Sequence, residues 1–107
     1  MNGINLTDLR AAISSGNIQW QRHSLERILQ RGISRDDVIQ TLLSGERIED
    51  YPDSSPLPGG LFFKLIGSRP IHVVAAFNSI SQTAFIITVY EADLEHFESD
   101  FKTRRKI

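Results

Sequence analysis

The sequence contains no cysteine, which excludes a disulfide framework and a thiolate metal site. It also lacks a long apolar run. Its longest uncharged apolar stretch, Ile71–Phe77, is far shorter than the roughly 20 residues that cross a bilayer. Asp8 and Arg10 interrupt the only N-terminal segment that resembles a secretion signal. We therefore expect a cytoplasmic protein with no membrane partner.

Length and composition indicate a single globular domain over residues 1–107. A chain that is 40% hydrophobic and 23% charged is typical of folded soluble domains and is not disordered. The net charge is only −1, but residues 1–35 hold five arginines against two acids, and residues 36–53 hold six acids against one arginine. Such segregation produces basic patches that suit phosphate binding. Ordinary solvated helix faces give the same pattern.

The first half of the chain has the 3.6-residue period of helices. Three helices are predicted, over residues 6–15, 23–31 and 35–44, with Asn5 or Thr7 capping the first. Ser34 and Asp37 are spaced as a capping box for the third helix. The second helix is expected to bury one apolar side and to expose a polar one. The buried side is Leu25, Ile28 and Leu29; the exposed side is His23, Arg27, Gln30 and Arg31.

The second half changes to the period of two that is typical of strands. Strands are predicted over residues 47–51, 61–66, 70–77 and 84–90, with a short extended piece over 17–22. Short connections between the later strands favour hairpins. Asp93 is predicted to cap a last helix bearing Leu94, Phe97 and Phe101. The fold class is therefore α+β, with N-terminal helices packed on a four- to five-stranded antiparallel sheet and a C-terminal helix.

Two groups of side chains are candidates for chemistry. His23, Arg27 and Arg31 lie four residues apart and form a row on one helix side, combining a proton carrier with phosphate-binding guanidiniums. A solvated polar face is the alternative interpretation. His72 and Tyr90 are expected on the same face of neighbouring antiparallel strands. His72 also fits a hydrogen-bonded structural histidine, and Tyr90 a core aromatic with one polar edge.

The last strand places hydroxyls near its end, because period-two alternation puts Thr88 and Tyr90 on one face together with Ile86. No motif predicts a metal or nucleotide. The three histidines lie on separate elements without metal-ligand spacing, and Gly59-Gly60 is not followed by a phosphate-binding lysine. We expect no metal and no cofactor.

Four ordered blocks of sequence resemble the bacterial family known as domain of unknown function 4258. The blocks are His23–Ser34, Gly45–Pro52, Arg69–Val74 and Ile87–Asp93, and the resemblance covers about residues 18–104. Residues 1–17 form an N-terminal helical extension to this core. Family members usually have proline after the Tyr-Glu pair, where this chain has Ala92. The change affects entry into the predicted last helix.

The order of the blocks is similar to that of BrnT-like toxins and, more distantly, of RelE-like toxins. This resemblance implies helices on an antiparallel sheet, an antitoxin protein as partner, and RNA as substrate. The implied reaction is metal-independent attack of a 2′-hydroxyl on its neighbouring phosphate. The resemblance implies catalytic roles for His23, Arg27, His72 and Tyr90, and phosphate contacts from Arg31, Arg69 and Thr88.

A rival hypothesis makes the protein a non-catalytic protein-binding module. The acid-rich strand over residues 46–51 and the basic C-terminal tail are then its interaction surfaces. The two hypotheses differ in geometry, because an enzyme needs His72, Tyr90 and the row on the second helix around one hollow.

Overall fold

The computed structural model describes residues 3–106, which form three helices and a five-stranded sheet. The elements in chain order are α1 (Leu6–Ser14), β1 (Ile18–Trp20), α2 (Arg22–Arg31), α3 (Arg35–Ser44), β2 (Glu46–Tyr51), β3 (Gly59–Ile66), β4 (Arg69–Asn78) and β5 (Thr83–Glu91). The helices pack on one face of the sheet, where side chains from α1, α2 and α3 join alternate residues of β3, β4 and β5 in one apolar core. The mixed α+β architecture agrees with the sequence prediction.

Local hydrogen bonds explain where the helices begin and end. Asn5 is the cap of α1, because its side chain accepts a hydrogen bond from the Asp8 amide at 3.0 Å. Ser34 and Asp37 form the predicted capping box at α3, with both reciprocal bonds at 3.0 Å. Gly32 ends α2 in the left-handed conformation, at φ +66°.

The strands are ordered β1-β5-β4-β3-β2, and the four longer strands are antiparallel as predicted. The expectation of a wholly antiparallel sheet is wrong for β1, which runs parallel to β5 over three residue pairs. Ile18 and its partner Ala84 are far apart in sequence, so no short hairpin connection fixes the direction of this pair. The chain reaches the sheet edge at Asn17, directly after α1, and its carbonyl accepts the Ala84 amide at 3.0 Å.

A β-bulge in β5 changes which side chains share a face. Val74 pairs with Thr88 but Ala75 pairs with Ile86, so Ile87 is an additional residue. Ile86 therefore belongs to the core beneath the helices and not, as expected, to the face that carries Thr88 and Tyr90. β1 pairs only with residues 84–86, which leaves the rest of that β5 edge without a partner strand among the described residues.

Side chains from α2 bind this open edge. Ser24 Oγ donates to the Ile87 carbonyl at 2.7 Å, and Arg31 Nη1 donates to the Val89 carbonyl at 2.6 Å. These bonds set the rotation of α2, so that Ser24 and Ile28 are buried and Leu29 is 84% exposed. The expectation that Leu29 is buried is therefore wrong. Arg27 and Arg31 lie on the exposed part of the helix, as predicted.

The predicted C-terminal helix does not form. Residues 92–106, here called the strap, consist of turns and a single antiparallel bridge between Phe97 and Arg104. Asp93 caps a turn, but Asp100 accepts the amides of Lys102 and Thr103 at 2.9 and 3.0 Å and so competes with helical bonding. The strap covers the sheet face opposite the helices, where Phe97 is buried against Leu61.

Candidate functional site

An open cavity of about 610 Å³ lies at the unpaired edge of β5, between the C-terminal half of α2 and the strap. We call it the β5-edge cavity. It is lined by Arg27, Arg31, Arg69, Thr88, Tyr90, Glu91, Asp93, His96, Phe97 and Arg104. Five of the seven residues singled out from the sequence therefore converge here, and only His23 and His72 do not line it.

Two arginines of α2 supply positive charge one helical turn apart. Arg31 uses Nη1 to bind the Val89 carbonyl, which fixes its side chain against β5 at the wall of the cavity. Arg27 makes no side-chain hydrogen bond or ion pair to any residue in the range 3–106. A guanidinium without a protein partner presents two parallel donors that match two phosphate oxygens.

Arg69 lines the cavity, as a phosphate-binding candidate must, but its guanidinium is bound by groups of the protein. Its Nη1 and Nη2 donate to the carbonyls of Gly32 and Arg31 at 2.7 and 2.8 Å, and its Nε donates to Glu91 at 2.9 Å. It therefore caps the C-terminal end of α2, where cations and donors satisfy the last carbonyls. Arg69 lines the cavity mainly as a support for α2.

Arg104 is held at the cavity by the opposite edge of the sheet. Its Nε and Nη2 donate to the two carboxylate oxygens of Glu49 at 2.7 and 3.1 Å, and its guanidinium lies 5.0 Å from the centroid of the Phe97 ring. The Tyr51 hydroxyl donates to the same carboxylate. Burial alone raises the pKa of Glu49, but hydrogen bonds from Arg104 and Tyr51 outweigh it and hold that pKa below its ordinary value. Burial and the Glu49 carboxylate raise the pKa of Tyr51 to about 12.

An Asp–His pair that sequence reasoning missed faces the cavity from the strap. His96 Nδ1 lies 2.8 Å from Asp93 Oδ1, which also accepts the His96 amide at 2.9 Å. These bonds from His96 lower the pKa of Asp93. Nε2 has no hydrogen-bond partner within the described part of the chain. A carboxylate that fixes one ring nitrogen and leaves the other accessible is an arrangement suited to proton transfer. The Asp-x-x-His spacing was the available signal.

His72 is fully buried beneath the strap. Its Nε2 lies 2.7 Å from the Phe101 carbonyl and its Nδ1 lies 3.2 Å from the Tyr90 hydroxyl. Phe63 and Phe97 pack edge-on against the ring, and burial lowers the pKa of His72. His72 and Tyr90 are directly paired in the register, which confirms that they share a face.

His23 lies on the exposed surface of α2 in its first turn, away from the cavity at the other end of the helix. Its spacing of four from Arg27 was correct for a shared helix side. The cavity nevertheless includes Arg27 and Arg31 of this side without His23.

The fold and the cavity together define an α+β domain with a cationic site at an open sheet edge. The sequence profile described as Domain of unknown function (DUF4258) matches residues 20–91, and the chain therefore belongs to that family. No curated protein gives a significant match. The matched region ends at the close of β5, so Asp93, His96 and Arg104 lie beyond it.

Two further observations concern the described residues only. No helix within residues 3–106 is long and apolar enough to cross a membrane. The same residues include no group of three or more His, Asp or Glu side chains placed to hold a metal ion.

Proposed function

We propose that the protein is a metal-independent endoribonuclease of the kind that serves as the toxin of a toxin–antitoxin module, and that the β5-edge cavity is its active site. One observation carries this proposal: Arg27 and Arg31 face the same cavity as the His96 imidazole that Asp93 orients. The resemblance of the sequence blocks to BrnT-like and RelE-like toxins supports it.

The reaction makes three demands that these side chains can meet. Attack of a 2′-hydroxyl on the adjacent phosphorus requires a group that takes its proton, a group that protonates the departing 5′-oxygen, and cations for the crowded phosphate. Arg27 and Arg31 bind the phosphate oxygens. His96 transfers a proton through Nε2, since Asp93 holds Nδ1. Thr88 and Tyr90 add hydroxyls to the wall of the cavity.

This assignment changes the roles expected from the sequence. His96 takes the proton-transfer role assigned to His23, because His96 is the histidine that lines the cavity. Arg69 supports the end of α2 and Glu91 neutralises part of its charge, so its contribution to phosphate binding is smaller than that of Arg27.

The rival hypothesis of a protein-binding module rests on the acid-rich edge strand and the basic tail, and two contacts between these segments favour the enzyme over it. Lys102 lies 3.3 Å from Glu46 and Arg104 is bound to Glu49, so two cations of the tail are paired with two acids of the edge strand. Charges that neutralise one another within the chain are poor determinants for a separate partner.

The test is cleavage of single-stranded RNA by purified protein in the presence of EDTA. Losing one phosphate-stabilising arginine or one proton-transfer group typically costs about two to four orders of magnitude in rate. We expect losses of this size for Arg27→Ala and His96→Gln. The matched control is Arg22→Ala on the same helix. Arg22 is 93% exposed, lies outside the cavity and, within residues 3–106, pairs only with Glu26 at 3.5 Å.

Growth provides the second arm of the test. Expression of the wild-type chain alone is expected to arrest growth, and Arg27→Ala is expected to relieve the arrest while Arg22→Ala does not. Wild-type protein that cleaves no RNA with or without EDTA and does not slow growth contradicts the proposal and favours the binding module.

A further inference from the structure

The hydrogen bonds of His72 determine which of its ring nitrogens carries the proton. The Phe101 carbonyl can only accept, so Nε2, at 2.7 Å, must donate to it. In the neutral ring, Nδ1 then has only a lone pair and accepts the Tyr90 hydroxyl at 3.2 Å. The Tyr90 hydrogen therefore points at His72, and the oxygen lone pairs of Tyr90 remain for the cavity that it lines.

We propose that Tyr90 and His72 form a two-residue proton relay, in which Tyr90 accepts the hydroxyl proton of the bound RNA and passes its own proton to His72. The inference rests on the proposed function and gives a specific role to each of two residues that the resemblance implied to be catalytic. Tyr90 is the catalytic residue of the pair. His72 acts through it, as a positioning residue that directs the tyrosine hydrogen and receives it.

The step balances in protons and electrons. The 2′-hydroxyl proton moves to Tyr90 Oη as the Tyr90 proton moves to His72 Nδ1. The O2′ electron pair forms the new bond to phosphorus, and the P–O5′ bond breaks with its electron pair on O5′. O5′ takes the proton carried by His96 Nε2. The products are a 2′,3′-cyclic phosphate and a 5′-hydroxyl. His72 later returns its proton to solvent through Tyr90, and His96 Nε2 takes a proton back from solvent.

Burial is the largest influence on His72 and lowers its pKa, while its bonded and charged neighbours act in both directions. β2 contributes the carboxylate of Glu49, which favours the protonated ring, and the strap contributes Arg104, which opposes it. β3 and the strap otherwise surround the ring with the uncharged aromatic side chains of Phe63 and Phe97. Burial favours the neutral ring between turnovers. Once His72 has received the proton of Tyr90, it therefore releases that proton readily.

A purely structural histidine explains the same burial, and a double-mutant cycle separates the two roles. Tyr90→Phe removes only the hydroxyl, while His72→Gln keeps an N–H that can reach the Phe101 carbonyl. Groups that act as a unit give non-additive losses. We expect each single variant to lose about 100-fold in kcat/KM, and the double variant to lose no more than the worse single variant. Losses that multiply overturn the relay.

The pH profile of cleavage supplies a readout that packing alone does not move. The relay needs neutral His72, so the acidic limb of kcat/KM should contain a titration that disappears in His72→Gln and remains in Arg22→Ala. An acidic limb that is unchanged in folded His72→Gln contradicts the relay.

Nitrogen NMR of the histidine rings tests the relay independently of activity and of the folding of His72→Gln. Above neutral pH, wild-type His72 is expected to carry hydrogen on Nε2 alone, and Tyr90→Phe should shift the Nδ1 resonance while leaving Nε2 nearly unchanged. Hydrogen on Nδ1 overturns the relay even if the protein cleaves RNA. Hydrogen on Nε2 in a protein that cleaves no RNA overturns the proposed function, and with it the catalytic role of the relay.

Discussion

The two faces of the sheet are built by different physical means. Among residues 3–106, sixteen buried hydrophobic residues form the core beneath the helices, whereas three form the core beneath the strap. The strap is held in addition by polar contacts, among them His72 to the Phe101 carbonyl, Arg104 to Glu49, and Lys102 to Glu46. Apolar burial thus stabilises the fold from one side, and directional bonds position the cavity wall from the other.

The difference explains where the candidate site lies. Arg27 and Arg31 extend from a helix anchored in the large core, while His96, Asp93 and Arg104 come from the strap. The β5-edge cavity therefore has walls from both α2 and the strap. A site built this way has one rigid wall and one wall that can be loosened without unfolding the sheet.

Replacing one buried phenylalanine on each face by alanine is expected to give the largest difference in stability between the two faces. Phe62→Ala leaves a cavity in the large core and should lower the free energy of unfolding by about 3–5 kcal/mol. Phe97→Ala should cost clearly less, because the strap can detach while the sheet stays folded. Urea unfolding measures both. Equal losses mean that the strap and the large core unfold as one unit.

The capping box of α3 offers a smaller change confined to the helix face. Ser34→Ala removes the acceptor for the Asp37 amide and is expected to lower the free energy of unfolding by about 1 kcal/mol. RNA cleavage measured well below the melting temperature should stay at the wild-type rate, because α3 does not line the cavity. A loss of cleavage in folded Ser34→Ala means that the two faces are coupled.

Glu49→Gln is expected to loosen the strap with little change in global stability. It replaces a charged pair with Arg104, and solvent exposure of Arg104 limits the cost to about 1 kcal/mol or less. The amides of Glu98 and Arg105, which bond within the strap, should exchange their hydrogens faster. The control is Glu46→Gln, whose carboxylate makes one exposed contact with Lys102. The same exchange in both variants contradicts a special role for Glu49.

The smallest expected effect is on the pH dependence of the free energy of unfolding. Burial lowers the pKa of His72, so the unfolded chain, whose histidine pKa is about 6.5, binds a proton more readily than the folded protein. The contribution of His72 to stability is therefore complete above about pH 6.5 and declines as the pH falls toward the folded pKa. Urea unfolding between pH 8 and 5 should show this decline in wild type and His23→Gln but not in His72→Gln. A decline retained in His72→Gln assigns it to another group.

The sequence predicts those features that depend on neighbouring residues. Ser34 and Asp37 define the start of α3 because a capping box is a local motif, and the later strands follow from period-two patterning and short turns. The prediction of a C-terminal helix is wrong for two reasons. Phe97 and Phe101 have helical spacing but pack on the sheet, and Asp100 binds the backbone of the residues that follow it.

Features that depend on contacts between residues far apart in the chain were not predicted from the sequence. The parallel pairing of β1 joins Ile18 to Ala84, and the bulge at Ile87 reverses the facing of Ile86; no local signal encodes either feature. The arginines were found because charge and helical spacing identify them. His96 was missed although its Asp-x-x-His spacing was visible, because only the folded strap places it at the cavity that Arg27 and Arg31 line.

The proposed reaction at the β5-edge cavity is tested most directly with a DNA oligonucleotide that contains one ribonucleotide, incubated with the protein in EDTA. We expect a single cut after the ribonucleotide that leaves a 2′,3′-cyclic phosphate and a 5′-hydroxyl, with the rate reduced about 100-fold or more in Arg27→Ala and His96→Gln. An uncut oligonucleotide, cleavage of the all-DNA version, or a product with a 5′-phosphate would contradict it.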